Sequence, residues 1–397
     1  MGMKDEFYEA RDWVRDELNF DKDSYTSVFE TTIRSLGGLL SAYDLSGDYA
    51  FLEKAHDLGK RLFKSFETST GIPYGEVNLY NLKGRNEGWL GNEVGLSAAT
   101  TLQVEFRYLA KVTGNEEYAR KAERVFEMLH DIEPSDGLYP ATIVNSGQVR
   151  FGSRDGNKVS FGSRVDSFYE YLLKIWLQGN MREQMYRDMY DKSMDGMHEK
   201  LLKKAEPSGL WYIGQSTYHG SSVSPKMDHL VCFMGGLLAL GAYTDKDGLD
   251  SERAQRDLKT AKALTYSCYQ MYAAKATGLS PEIVSEWDSG PEATPRDSFY
   301  ILRPETVESF FVLHQLTGDP IYREWGWEIF NSIEKYCKTS IAYGHHPNVD
   351  NTNVGPEDNL ESFFMAETLK YLYLLFDPDT EIDVLRKVSV SFIVHTT

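Results

Sequence analysis

The stretch ILRPETVESFFVLHQLTGDP, residues 301–320, sets two glutamates, Glu305 and Glu308, three apart beside Arg303. The remainder is apolar on most of a helical circumference, through Leu302, Val307, Phe310, Phe311, Leu313 and Leu316. A helix of that kind is buried. Buried carboxylates cost several kcal/mol unless they are paired, protonated or at work. The segment therefore predicts an inner helix whose charged N-terminal end has a task. It closes on Thr-Gly-Asp, a helix stop that leads into a new helical pattern.

That ending recurs. LSGDYAFLEKA (45–55), VTGNEEYARKA (112–122) and LTGDPIYREWG (316–326) share it, and a second echo follows as TGIPY (70–74), DGLYP (136–140), SGLWYIG (208–214) and TGLSPE (277–282). The glycines of this second echo lie about 65–72 residues apart. Each repeat reads as an apolar helix, a Gly turn, a more charged helix, then a loop or short hairpin. FETTIRSLGGLLSAY, LQVEFRYLAKV, DSFYEYLLKIWL, DHLVCFMGGLLALGAY and ESFFMAETLKYLYLLF are further apolar members, whereas FLEKAHDLGKRLFKSF and YARKAERVFEML carry a single apolar stripe. This alternation predicts an all-α fold in two concentric layers, an α/α toroid or barrel of helical hairpins; a solenoid is the runner-up. Either makes residues 1–397 a single domain.

Composition narrows the function. With 60 acidic and 42 basic residues the net charge is −18, and no Lys/Arg cluster with interleaved aromatics offsets it, so nucleic acid is excluded as a partner. The 25 Tyr and 7 Trp are enough to fill a core and also suit sugar clefts, where rings stack on pyranose faces. No apolar run is long enough to span a membrane, so no anchor is expected in this chain. The N-terminal MGMKDEFYEARDW lacks the apolar core of a signal peptide. The three cysteines, Cys232, Cys268 and Cys337, have no metal-ligand spacing. One disulfide with a spare thiol and three buried thiols both remain open, with composition favouring the thiols.

Nearly every apolar helix carries an acid or a histidine near its N-terminal end: Glu30, Glu105, Asp166, His229, Glu305 and Glu361. One such acid merely complements the helix dipole, at about 0.3–1 kcal/mol. Six at corresponding places, on helices running the same way round a ring, predict an acidic pocket at one mouth. Paired carboxylates in a cleft suit glycoside hydrolysis, one donating a proton to the leaving oxygen and the other activating water or attacking directly. Arg34, one turn after Glu30, and Arg303, two residues before Glu305, are placed to tune their neighbours. No P-loop, strand–GxGxxG–helix or GxSxG elbow competes with this reading.

Taken together, FETTIRSLGGLLSAYDLSGD, TLQVEFRYLAKVTG, VDSFYEYLLKIWLQG, KMDHLVCFMGGLLALGA, TGLSPEI, LRPETVESFFVLHQLTGDPIYREWGWEIF and ESFFMAETLKYLYLLF closely resemble the class I α-1,2-mannosidases, glycoside hydrolase family 47, over about residues 5–383. The resemblance implies an (α/α)7 barrel, an inverting enzyme that trims mannose from oligomannose N-glycans in the secretory pathway, and Ca2+ bound at the sugar hydroxyls. A monomer in the lumen of the endoplasmic reticulum or Golgi is expected. By motif, Glu30 matches the general acid, acting through a water, Glu305 the general base, and Asp166 the third essential carboxylate. Arg34, Glu105, His229, Arg303, Glu308, Phe363 and Glu367 match residues lining the sugar subsite or the metal's water shell. Arg164 resembles the arginine of the endoplasmic-reticulum branch, which implies Man9 to Man8 trimming. Cys232 and Cys268 match the family's disulfide, reversing the preference for thiols. Inverting chemistry needs its carboxyl groups about 6.5–9.5 Å apart.

Three departures accompany the resemblance. The chain starts inside what resembles the family's first hairpin, without the upstream Trp-Gly-His-Asp-Glu motif. It ends in VLRKVSVSFIVHTT, where the family has Asn-Thr-Glu-Ala-His-Pro with a Ca2+-ligating Thr; Thr396 or Thr397 would have to substitute. Ala98 replaces a usual acidic residue. The chain is thus expected to be truncated or divergent at both ends, with its metal ligands unknown. A second reading is a non-catalytic mannose-binding or glycoprotein quality-control module.

Overall fold

The computed structural model describes residues 2–380 and 382–385. It falls into two compact units, one built from residues 2–158 and 167–192 and the other from the described residues of 159–166 and 193–385. Both are made mainly of helical hairpins. No helix among the described residues is long and apolar enough to cross a membrane.

The repeated Gly turns are where the sequence puts them. Gly47, Gly114 and Gly318 each take up the left-handed conformation just past a helix, the helices being Gly37–Ser46, Gln103–Thr113 and Glu305–Thr317. Only a residue without Cβ does this freely. The next residue then opens the partner helix. Asp48 Oδ1 accepts from Ala50 N–H, Asn115 Oδ1 from Glu117 N–H and Asp319 Oδ1 from Ile321 N–H, at 3.0, 3.2 and 3.0 Å. Thus the Gly-Asp/Asn pair stops one helix and caps the next, a complete hairpin instruction in two residues.

In the first unit the hairpins are Gly37–Ser46 with Tyr49–Leu62 and Gln103–Thr113 with Glu117–Asp131. They are joined by the body of the helix Asp166–Gln178, in which every residue from Ser167 to Leu177 is buried. Glu117–Asp131 buries one stripe instead, through Tyr118, Ala122, Val125, Phe126 and Leu129. In the second unit Met234–Tyr243 packs on Glu252–Ala273, and Glu305–Thr317 on Ile321–Tyr336 and Leu369–Phe376. The alternation of wrapped and one-sided helices is as expected.

Short antiparallel pairs lead into the buried helices. Tyr25–Ser27, paired with Glu76–Asn78, enters Val28–Glu30. Glu93–Gly95, paired with Thr142–Val144, enters Leu96–Thr100, and Met227–Asp228, paired with Ile283–Val284, enters His229–Phe233. The pairs fix where each helix begins, and so where its first-turn side chains stand.

Cys232 and Cys268 form a disulfide with Cα atoms 5.9 Å apart, so the composition-based preference for three thiols gives way to the bridge. Cys337 is a buried free thiol, its pKa pushed up to about 12 by burial. The bridged helices approach closely at Gly235, where an added Cβ would lie 2.0 Å from Thr265 Oγ1. Gly235→Ala should therefore destabilise the protein by about 1–3 kcal/mol through overpacking. Gly38, inside a helix with nothing within 4 Å of its would-be Cβ, should gain about 0.5–1 kcal/mol on Gly38→Ala. Urea midpoints of the two variants moving in the same direction would refute this account.

Candidate active site

In the second unit an acid in an apolar setting is tolerated because its partners surround it. Glu305 starts the helix Glu305–Thr317 and its Oε2 lies 3.0 Å from Nδ1 of His229. The other ring nitrogen, Nε2, lies 2.8 Å from the Tyr272 hydroxyl and 3.0 Å from Thr306 Oγ1. His229 is thereby held on both edges, with Nδ1–H presented to the carboxylate. Burial alone pushes the Glu305 carboxyl up, but the His229 hydrogen bond and the Arg303 charge outweigh it and hold it below the ordinary glutamate value. It is an ionised carboxylate in a mostly buried place, its side chain 13% exposed.

Arg303 is itself mostly buried and clamped on Glu282, with Nε 2.9 and 3.0 Å from the two carboxylate oxygens and Nη2 2.5 Å from Oε1. Its guanidinium lies over the ring of Phe363, 5.7 Å from the centroid. Burial disfavours the Arg303 charge, while Glu282, Glu305 and Asp166 more than restore it and raise its pKa. Asp166 thus belongs to the same electrostatic group. It opens the helix Asp166–Gln178, its N–H donating to the Gly162 carbonyl at 3.0 Å. Arg164, two residues earlier, has φ +77°. Glu308 is buried one turn beyond Glu305, with the Tyr371 hydroxyl 3.4 Å from Oε1. Glu367 is buried in a π-helical turn, Phe364–Thr368. Glu361 lies 3.1 Å from Nε2 of His345, which is its partner.

In the first unit Glu30 ends the short turn Val28–Glu30, where Ser27 Oγ accepts its N–H. Its Oε2 accepts from Arg34 Nε at 2.7 Å, and the side chain is 45% exposed, so water reaches it. The helix widens into a π-turn, Thr31–Leu36, directly after it, a distortion frequent at functional sites. Glu105 is fully buried and accepts from the Tyr171 hydroxyl at 2.7 Å.

Several partners were not singled out from the sequence. Glu282 lies in the fourth repeat echo, TGLSPE, and its acid in an apolar loop was a signal to weigh. Asp228, Tyr272 and Thr306 gave none, because each matters only through a neighbour distant in sequence. Tyr272 stands four residues after Cys268, on the helix that the disulfide ties to the His229 segment.

The sequence profile of the family described as Glycosyl hydrolase family 47 matches residues 1–395. The chain belongs to this family. Mannosyl-oligosaccharide 1,2-alpha-mannosidase MNS1 of Arabidopsis thaliana is 44% identical over 97% of the chain and 67% of its own length. The endoplasmic reticulum mannosyl-oligosaccharide 1,2-alpha-mannosidase of Rattus norvegicus is 42% identical over 96% of the chain and 58% of its own length. The chain spans little more than half the length of most of the curated relatives it matches. Among solved structures, the alpha-1,2-mannosidase from Trichoderma reesei superposes with a TM-score of 0.85 at 29% identity, over 96% of this chain and 84% of that one. The family-47 fold is the α/α barrel expected from the repeats.

Calcium needs six to eight oxygen donors. Among the described residues no three His, Cys, Asp or Glu side chains gather into a metal-binding group. Thr396 and Thr397, the candidate substitute ligands, lie outside the described residues.

His229→Leu removes one of the two influences holding Glu305 ionised and leaves burial less opposed. The Glu305 pKa should then rise, so that its charge is lost at a higher pH than in the unaltered protein. Carbon-13 titration, with Glu305 assigned by the signal missing in Glu305→Gln, reads this directly; an unmoved or lowered midpoint contradicts the assigned role of His229.

Proposed function

We propose that this chain is an inverting glycoside hydrolase that removes α-1,2-linked mannose from oligomannose N-glycans on glycoproteins, of the Man9-to-Man8 kind, in the lumen of the secretory pathway. Residues 1–397 serve as one catalytic domain in this reading. The observation that carries it is Glu305, a mostly buried carboxylate kept ionised by His229 and Arg303. Family membership and the names of the relatives support the substrate class.

Glu305 acts as the general base, taking a proton from the water that attacks the anomeric carbon. Glu30 delivers the proton to the leaving oxygen through a water, which its half-exposed side chain can reach, while Arg34 fixes Oε2. Asp166 assists as the third carboxylate, linked to Glu305 through the charge of Arg303. By motif, Glu105, Glu308, Phe363 and Glu367 match family residues of the sugar subsite or the metal's water shell, and in this reading Arg164 meets the neighbouring arm of the glycan. Calcium, when bound, would hold sugar hydroxyls; the proton transfers fall to these side chains. The alternative of a non-catalytic glycan-binding module is not favoured, since the named relatives are mannosidases.

Purified protein incubated with a nine-mannose glycan and Ca2+ should release mannose, seen as loss of one hexose by mass spectrometry, with the β-anomer appearing first by proton NMR. Glu305→Gln should lower kcat by about 10²–10⁴-fold. No release at any Ca2+ concentration rejects the activity for this chain, and the α-anomer appearing first rejects inversion.

A further inference from the structure

Seven residues other than glycine have positive φ among the described residues. Leu82, Asn157, Asn180, Met181 and His219 are exposed loop positions. The other two are Arg164, at φ +77°, and Leu302, at φ +68° and fully buried. They stand two residues before Asp166 and three before Glu305, at the entrances to the helices that carry those acids. L side chains rarely adopt this backbone, and it persists only where surrounding contacts over-determine it.

Each of these turns is pinned by a polar side chain from elsewhere in the second unit. The Asp228 carboxylate is buried, and its Oδ2 accepts from Ser163 N–H at 3.1 Å while Oδ1 accepts from Gln215 Nε2 at 3.3 Å. It presses so closely on the turn that a Cβ on Gly162 would lie 2.4 Å from Oδ2. The Gly162 carbonyl in turn accepts from Val165 and Asp166 N–H at 3.1 and 3.0 Å, which sets the start of the Asp166 helix. At the second turn the Thr368 hydroxyl donates to the Leu302 carbonyl at 2.6 Å, and both residues are fully buried. Leu302 is followed by Arg303 and Pro304, so the direction of its backbone decides where the Arg303 guanidinium points and where the Glu305 helix begins.

We propose that Asp228 and Thr368 are positioning residues, holding two left-handed turns that aim Arg164 with Asp166 and Arg303 with Glu305 at the sugar. This rests on the assignment of Asp166 and Glu305 as working carboxylates given above. Asp228 does its part from the residue next to His229, on a strand paired with the segment after Glu282. One two-stranded pair thereby supports the Arg164 turn, the partner of Glu305 and the clamp on Arg303.

The test is a double-mutant cycle on kcat/KM for mannose release from the nine-mannose glycan. Asp228→Asn should lower it by about tenfold to a hundredfold, the loss expected from misplacing reacting groups by about an ångström. In the Arg164→Gly background, where glycine takes the turn without strain, the same change should lower it by less than about threefold. Thr368→Val should cause a loss of about tenfold or more in kcat, and Thr368→Ser, which keeps the hydroxyl, should stay within about threefold of the unaltered protein. Without substrate, amide exchange in a peptide spanning 161–167 should quicken on Asp228→Asn. Equal losses in both Arg164 backgrounds, Ser as damaging as Val at 368, or unchanged exchange would overturn the proposal. Unaltered protein that releases no mannose removes the underlying assignment instead, a result distinct from active protein with additive losses.

Discussion

Placing a negative charge inside a protein is the constraint around which this site is organised. Glu305 is mostly buried, and desolvation by itself would favour the neutral acid. A neutral acid cannot take a proton from water. His229 on one side and Arg303 nearby reverse the balance, and each brings its own obligations. His229 requires Tyr272 and Thr306 at its far nitrogen, and Arg303 requires the Glu282 carboxylate. The ring of supporting residues is the consequence of one ionised group kept away from bulk water.

The two proposed proton-transfer residues live under different physical rules. Glu305 is enclosed and electrostatically tuned, whereas Glu30 is half in water and paired with Arg34 at i,i+4. Exposed pairs of that kind are worth only a few tenths of a kcal/mol, so Arg34 matters for where the carboxylate points more than for stability. Water-relayed proton delivery suits the exposed acid and direct abstraction suits the enclosed base.

The hairpin layout was legible because it is written locally. Gly47, Gly114 and Gly318 with their following Asp or Asn are backbone instructions that need no tertiary context, and the all-round apolar composition of residues 167–177 can only be satisfied by burial. The acids at 30, 105, 166 and 305 were legible because charge in an apolar stretch requires explanation. Their partners were not, since Glu282, Asp228 and Tyr272 reach them only after folding. The π-turns behind Glu30 and around Glu367 were hidden too, as were the left-handed backbones of Arg164 and Leu302. Nothing in the residue types at those places asks for such geometry. The disulfide came from family likeness, because three cysteines by themselves allow several arrangements. Glu361 fits the pattern of acids at helix entrances, yet its partner is His345.

The bridge between Cys232 and Cys268 links the same two segments as the contact between His229 and Tyr272, three residues along one strand of chain and four along the other. One tether is covalent and indifferent to pH; the other is a polar contact at the end of which sits a proton acceptor. The two tethers are separated by about one helical turn on each segment. An oxidising surrounding therefore does more for this molecule than join two helices: it keeps the segment that carries His229 fixed to the helix that carries Tyr272.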